Sequence, residues 1–168
     1  AARRRKVGVP EEIVFKTKPQ IALDEIRWAV EAGLPRGVVL LDAGYGNNTE
    51  LRTEIGALGL TYAAGILSST TVWAPGTGPL PPQRWSGRGR PPTRPRRSAR
   101  YKPVSVKQLA VGLPKRAWRT IGWREGAAGR LSSRFARVRV RAAHRNKLHG
   151  EEWLLIEWPK GEKEPNKY

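Results

Sequence analysis

Asp42 closes the apolar run Val38-Val39-Leu40-Leu41 and is followed at once by Ala43-Gly44-Tyr45-Gly46-Asn47-Asn48. Such a run reads as a buried strand, and the glycines after it read as a tight turn into a helix. In open α/β sheets, functional groups gather just beyond the carboxyl ends of strands. A carboxylate held there can ligate a divalent cation, because hard cations take oxygen ligands. The competing reading is local: an aspartate in a turn commonly accepts hydrogen bonds from nearby backbone N–H groups and needs no other role. The rest of the chain is cationic, with 32 Lys and Arg against 14 Asp and Glu and a net charge of +18. That balance favours a polyanionic partner, most often nucleic acid, with an anionic membrane surface as the competitor. An acid for metal inside a basic frame for phosphate is what a DNA-processing enzyme needs.

Two further constellations carry the positive charge. Gly87-Arg88-Gly89-Arg90-Pro91 resembles the core of an AT-hook, in which an extended Arg-Gly-Arg segment lies in the minor groove of A·T-rich DNA. Glycine permits close approach there, and narrow grooves concentrate the potential that draws arginine in. Arg94, Arg96, Arg97 and Arg100 would then meet flanking phosphates with salt-sensitive, sequence-blind affinity. The plainer alternative is a solvated Arg/Pro loop. The second constellation is strand-like. Over 134–142, Ala136, Val138, Val140 and Ala142 share one face, and Arg137, Arg139 and Arg141 share the other. The arginine ridge could track a DNA backbone or serve solubility alone. Trp118, Trp123, Trp153 and Trp158 are expected in a core, and Trp73 and Trp85 flank the Arg-rich loop. His144 and His149 read as surface residues.

The elements that would position these groups follow from periodicity and punctuation. Pro19 suits a first helical turn, Ala22, Ile26, Ala29 and Val30 fall on one face, and Gly33 ends the helix. Residues 37–42 form the strand leading to Asp42. Asn47, with Glu50 three residues on, is the expected cap of the next helix, whose stripe is Leu51, Ile55 and Leu58, with Gly59 closing it. Leu60 to Leu67 reads as a further strand. The order β-α-β-α-β up to about residue 67 argues for a parallel-containing sheet. The character then changes: from Ile55 to Arg124 no acidic residue occurs. Residues 74–103, rich in Pro, Gly and Arg, cannot form a regular core element. Ser105 can cap a short helix carrying Val106, Leu109 and Leu113. Residues 116–124, 130–142 and 152–158 read as strands, with a glycine-rich turn at 125–129.

Composition excludes several classes. With no Cys, the chain has no disulfide framework and no thiolate zinc site. Two His leave little for a His-built metal centre. No apolar run approaches the roughly 18 residues of a membrane span, and no segment has signal-peptide layout. Nucleotide-loop, zincin and nucleophile-elbow motifs are absent. No helix joins a basic face to a large apolar one, which disfavours membrane binding.

The run Leu41-Asp42-Ala43-Gly44-Tyr45-Gly46 resembles the second-aspartate motif of DDE-type insertion-sequence transposases, whose catalytic domain is RNase H-like. Val9-Pro10-Glu11-Glu12, Phe15-Lys16-Thr17-Lys18-Pro19, Trp85-Ser86-Gly87-Arg88-Gly89-Arg90-Pro91-Pro92, Leu131-Ser132-Ser133-Arg134-Phe135 and Glu152-Trp153-Leu154-Leu155-Ile156-Glu157-Trp158-Pro159 are similar to the same family. The resemblance implies an α/β fold: a partial RNase H-like mixed sheet with helices over 9–67, then a β-rich insertion over 68–168 containing the 74–103 loop. Residues 1–8 are expected as a disordered basic lead, and the chain as a central fragment of a longer protein. The implied activity is metal-dependent DNA cleavage and strand transfer in transposition. Asp42 would be one of three carboxylates that hold Mg²⁺ or Mn²⁺ in the intact protein. With one of the three, this chain alone is expected to bind no metal and to be inactive. Where the family often has a further acid after Gly-Tyr-Gly, this chain has Asn47. The implied partners are double-stranded transposon-end and target DNA, with a homo-oligomer in the intact transposase, no membrane, and a bacterial cytoplasmic, nucleoid-associated setting. A non-catalytic basic nucleic-acid-binding protein, or a decayed transposase remnant, is the alternative.

Overall fold

The computed structural model describes residues 2–8, 10, 12–126, 129–145 and 147–168. Its first part is a pair of parallel strands with helices packed against it. After the short helix α1 (Ala2–Lys6), helix α2 (Lys18–Glu31) begins where Pro19 presets the backbone dihedral of a first turn. The Gln20 side chain reaches back to accept from the Thr17 N–H at 2.8 Å. Gly33 follows the helix in the left-handed region, at φ 72°. Strand β1 (Val38–Leu41) leads through helix α3 (Ala43–Gly46) into helix α4 (Thr49–Ala57) and strand β2 (Thr61–Ala64). β1 and β2 pair in parallel from Val38–Thr61 to Leu41–Ala64. Ile55 of α4 is fully enclosed, at 0% exposure, and Leu51 is buried beside it. Each such aliphatic side chain contributes about 1.5–3 kcal/mol.

The second part is an antiparallel sheet built on one long strand. Strands β3 (Thr71–Trp73), β4 (Val104–Ser105), β5 (Arg119–Gly126), β6 (Gly129–Ala142) and β7 (Glu151–Pro159) are joined in it. β5 pairs with the first half of β6 and β3 with its last two residues, while β7 covers the other edge from Ser133 to Arg141. Helix α5 (Val106–Val111) packs on the inner face. Its cap Ser105 accepts from the Gln108 N–H at 3.1 Å, and Gln108 accepts in return from the Ser105 N–H. Val72, Val106, Ala110, Val140, Leu154 and Ile156 form the core, with Leu109, Leu113 and Trp118 packed against it. Ala136 and Ala142 are also buried and Val138 half-buried, as the alternation along β6 requires. The architecture is α/β, a partial RNase H-like unit followed by a β-rich region.

Near the start of the chain, α1 makes a short helical turn, and the Arg4 guanidinium donates to the carbonyls of Pro10 and Ile13. Several expectations are corrected. Among the described residues no strand precedes α2, so the first strand of the β-α-β-α-β order is not formed there. β1 is only half-covered, with Val38 56% and Leu40 77% exposed, because helices lie on one face alone of the two-stranded sheet. The cap of α4 is Asn48, whose side chain accepts from the Leu51 N–H at 2.9 Å. Asn47 has helical backbone dihedrals and is the C-cap of α3, so it does not serve as the N-cap of α4. Trp118 and Trp158 pack edge to face, but Trp123 and Trp153 are outside the core. Trp153 stands opposite Arg139 on the arginine side of the sheet, and Trp123 falls at the bulge between Gly122 and Arg124.

Candidate functional site

The turn after β1 fixes Asp42 in two ways. Its Oδ1 accepts from the backbone N–H groups of Gly44 at 2.9 Å and Tyr45 at 3.2 Å, so the side chain caps α3. The carboxylate nonetheless remains exposed at the carboxyl end of β1. The local role and a chemical one are therefore compatible, because capping uses a single oxygen. Gly46 lets this turn lie directly on the segment after β2: a Cβ there would collide with the Gly65 carbonyl oxygen. Gly65 itself donates to the Leu41 carbonyl at 2.9 Å. Gly46→Ala must push two backbones apart and is expected to destabilise the protein by about 1–3 kcal/mol. A thermal melt checks this; an unchanged midpoint would mean that the two segments are not in close approach.

Polar side chains brace the turn from below. Asn47 Oδ1 accepts from the Leu67 N–H at 3.1 Å and the Thr70 hydroxyl at 2.7 Å, while its Nδ2 donates to the Ala43 carbonyl at 2.7 Å. Arg52, only 5% exposed, donates to the Gly46 carbonyl and forms a two-point pair with Glu152, at 2.9 and 3.4 Å. Tyr62 joins the pair. Burial, then the nearby Glu152 charge, holds its hydroxyl pKa above the ordinary value, with Arg52 acting in the opposite sense. Because Glu152 belongs to β7, the network joins the Asp42 turn to the antiparallel sheet. Sequence reading missed Arg52, Tyr62 and Glu152. The available signal was parity: Glu152 alternates with the inward Leu154 and Ile156, a charged residue at a core-facing position. Glu50 and Glu54 are engaged elsewhere, with Arg145 at 2.6 Å and Arg27 at 2.7 Å.

The arginines lie in two groups. Arg137 and Arg139 stand over the Trp153 ring at 4.9 and 5.0 Å, and Arg139 and Arg141 pair with Glu151 at 3.5 and 3.1 Å. The ridge thus exists, partly neutralised by β7. In the 74–103 loop, Leu80 and Arg96 exchange backbone hydrogen bonds, both 2.9 Å, and Arg96 Nε donates to the Pro81 carbonyl at 3.0 Å. Arg88, Arg90, Arg94, Arg97 and Arg100 are exposed. The Arg-Gly-Arg segment is not extended, as the AT-hook likeness required. Gly87 and Gly89 have φ of 86° and 68°, and the Trp85 indole N–H donates to the carbonyls of Arg88 and Gly89, both at 3.2 Å. That folds the segment back on itself.

The family described as DDE superfamily endonuclease matches residues 1–130. The chain belongs to this family. Comparisons with curated proteins and with solved structures each gave no match. The match covers the Asp42 turn, the Arg-rich loop and the start of the antiparallel sheet, and ends before β7. DDE endonucleases act on DNA and generally use a divalent metal. Asp42 offers a single carboxylate. Among the described residues no three His, Asp or Glu side chains come together as such an ion requires, so these residues alone do not fit one. No helix among the described residues is long and apolar enough to cross a membrane.

Proposed function

We propose that this DDE endonuclease chain is part of an insertion-sequence transposase. In this reading it contributes Asp42 to the centre that cleaves and joins DNA and grips double-stranded transposon-end DNA with its basic β-rich half. The observation that supports this best is the Asp42 carboxylate itself: exposed at a strand end, braced by Gly46 and Arg52, in a chain of net charge +18. Arg88, Arg90, Arg94, Arg97 and Arg100 on the loop, with Arg137, Arg139 and Arg141 on the ridge, are the proposed DNA contacts, and Arg96 chiefly holds the loop base. Assembly of more than one protomer on DNA, and a nucleoid-associated setting, belong to the same reading. A non-catalytic basic DNA-binding role is the second reading, supported by the net charge of +18 and the exposed arginines of the loop.

Duplex binding tests the proposal. Affinity followed by fluorescence anisotropy should fall steeply with salt, the logarithmic slope being about −0.9 per phosphate contacted. Absence of duplex binding at low ionic strength would sink both forms of the reading.

A further inference from the structure

The connection from β6 to β7 holds Arg145, which has φ 51° and is the only non-glycine residue in the left-handed region among those described. A side chain in that region is strained, and such positions persist where the surroundings over-determine them. Here the His149 ring Nε2 hydrogen-bonds the His144 carbonyl at 3.0 Å, and Arg141 donates to the His149 carbonyl at 3.0 Å. From this backbone the Arg145 guanidinium reaches Glu50 at 2.6 Å, in the first turn of the helix that follows the Asp42 turn.

Arg145 also lines a shallow crevice with Lys147, Arg97, Pro79, Pro95 and Trp73. Trp73 is buried among these residues, at 2% exposure. Arg97 is held at the rim because the Leu80–Arg96 bridge closes the base of its loop. Cations from two distant segments therefore converge, and among the described residues only Arg145 of the three pairs with a carboxylate. The crevice itself holds only about 10 Å³, so an anion would sit across its mouth, where it relieves the repulsion among the like charges around it. A phosphodiester suits them, since Arg offers forked donors and Lys a point charge.

We propose that Arg97, Arg145 and Lys147 form a phosphate-binding cluster that seats the backbone of double-stranded DNA at the flank of α4. The assignment rests on the DNA-binding reading above and gives it a location. The test uses the whole chain and a fluorescein-labelled mixed-sequence duplex titrated over a range of salt. Arg145→Gly places the residue that prefers this backbone where Arg is strained. It should melt at the wild-type temperature or above, yet bind duplex more weakly, with the salt slope reduced by about 1. Arg97→Gln combined with Lys147→Gln should lower the slope by about 2. If the wild type binds duplex and these variants match it in affinity and slope, the cluster is overturned while the DNA reading stands. A lower melting temperature with unchanged affinity for Arg145→Gly would likewise overturn it, because the residue would then serve only its pair with Glu50. Failure of the wild type to bind duplex would remove the DNA reading itself.

Discussion

Asp42→Asn, made in an intact family member with the same Leu-Asp-Ala-Gly-Tyr-Gly turn, is expected to abolish DNA cleavage while DNA binding and folding persist. The amide oxygen can still accept from the Gly44 and Tyr45 N–H groups, so the cap on α3 survives. Its stability should stay within about 0.5 kcal/mol of wild type. What disappears is the negative charge at the end of β1. Carboxylate-held metal ions contribute several kcal/mol of transition-state stabilisation, so cleavage should fall by about 1,000-fold or more. Asp42→Ala would lose the cap as well, adding a stability loss of about 1 kcal/mol. Comparing the two variants separates chemistry from capping. Cleavage retained by the Asn variant would leave Asp42 with the cap as its whole role.

What could be read from the sequence was local. Pro19 and Gly33 bracket α2, Ser105 and Gln108 box the start of α5, and the alternation along β6 sorts its residues onto the correct faces. Each of these signals lies within a few residues of its consequence. The features that escaped depend on distant partners. Arg52 meets Glu152 across 100 positions, and no spacing rule connects them. Trp153 faces outward because the register of β7 on β6 sets it opposite Arg139. Val38 and Leu40 are exposed because the sheet there has two strands and one covered face, which hydrophobicity alone does not reveal. The Arg-Gly-Arg segment is bent by an indole hydrogen bond that a motif comparison does not contain. At Asp42 the sequence left capping and metal ligation as alternatives. The geometry makes them compatible, since one oxygen caps and the carboxylate stays exposed.

Arg52→Met should be the most damaging single change outside the hydrophobic core. The guanidinium is nearly enclosed, and its loss strips the Gly46 carbonyl of a donor and the Glu152 carboxylate of its two-point partner. Breaking a buried pair on one side costs about 3–5 kcal/mol, because the remaining charge is left without compensation. The Glu152 side chain keeps 25% of its exposure, so water offsets part of this and the lower figure, about 3 kcal/mol, applies. At about 2–4 °C per kcal/mol, the melting temperature should drop by about 6–12 °C. Arg52→Met with Glu152→Leu removes both charges and should recover much of the loss, since apolar replacements of buried pairs are often neutral. The double-mutant cycle then measures the coupling directly. A single variant that melts with the wild type would show that the network holds nothing in place. In an intact family member the same change should also slow cleavage without altering duplex affinity. Arg52 would reach the reaction only through the Gly46 carbonyl, four residues beyond Asp42 in the same turn.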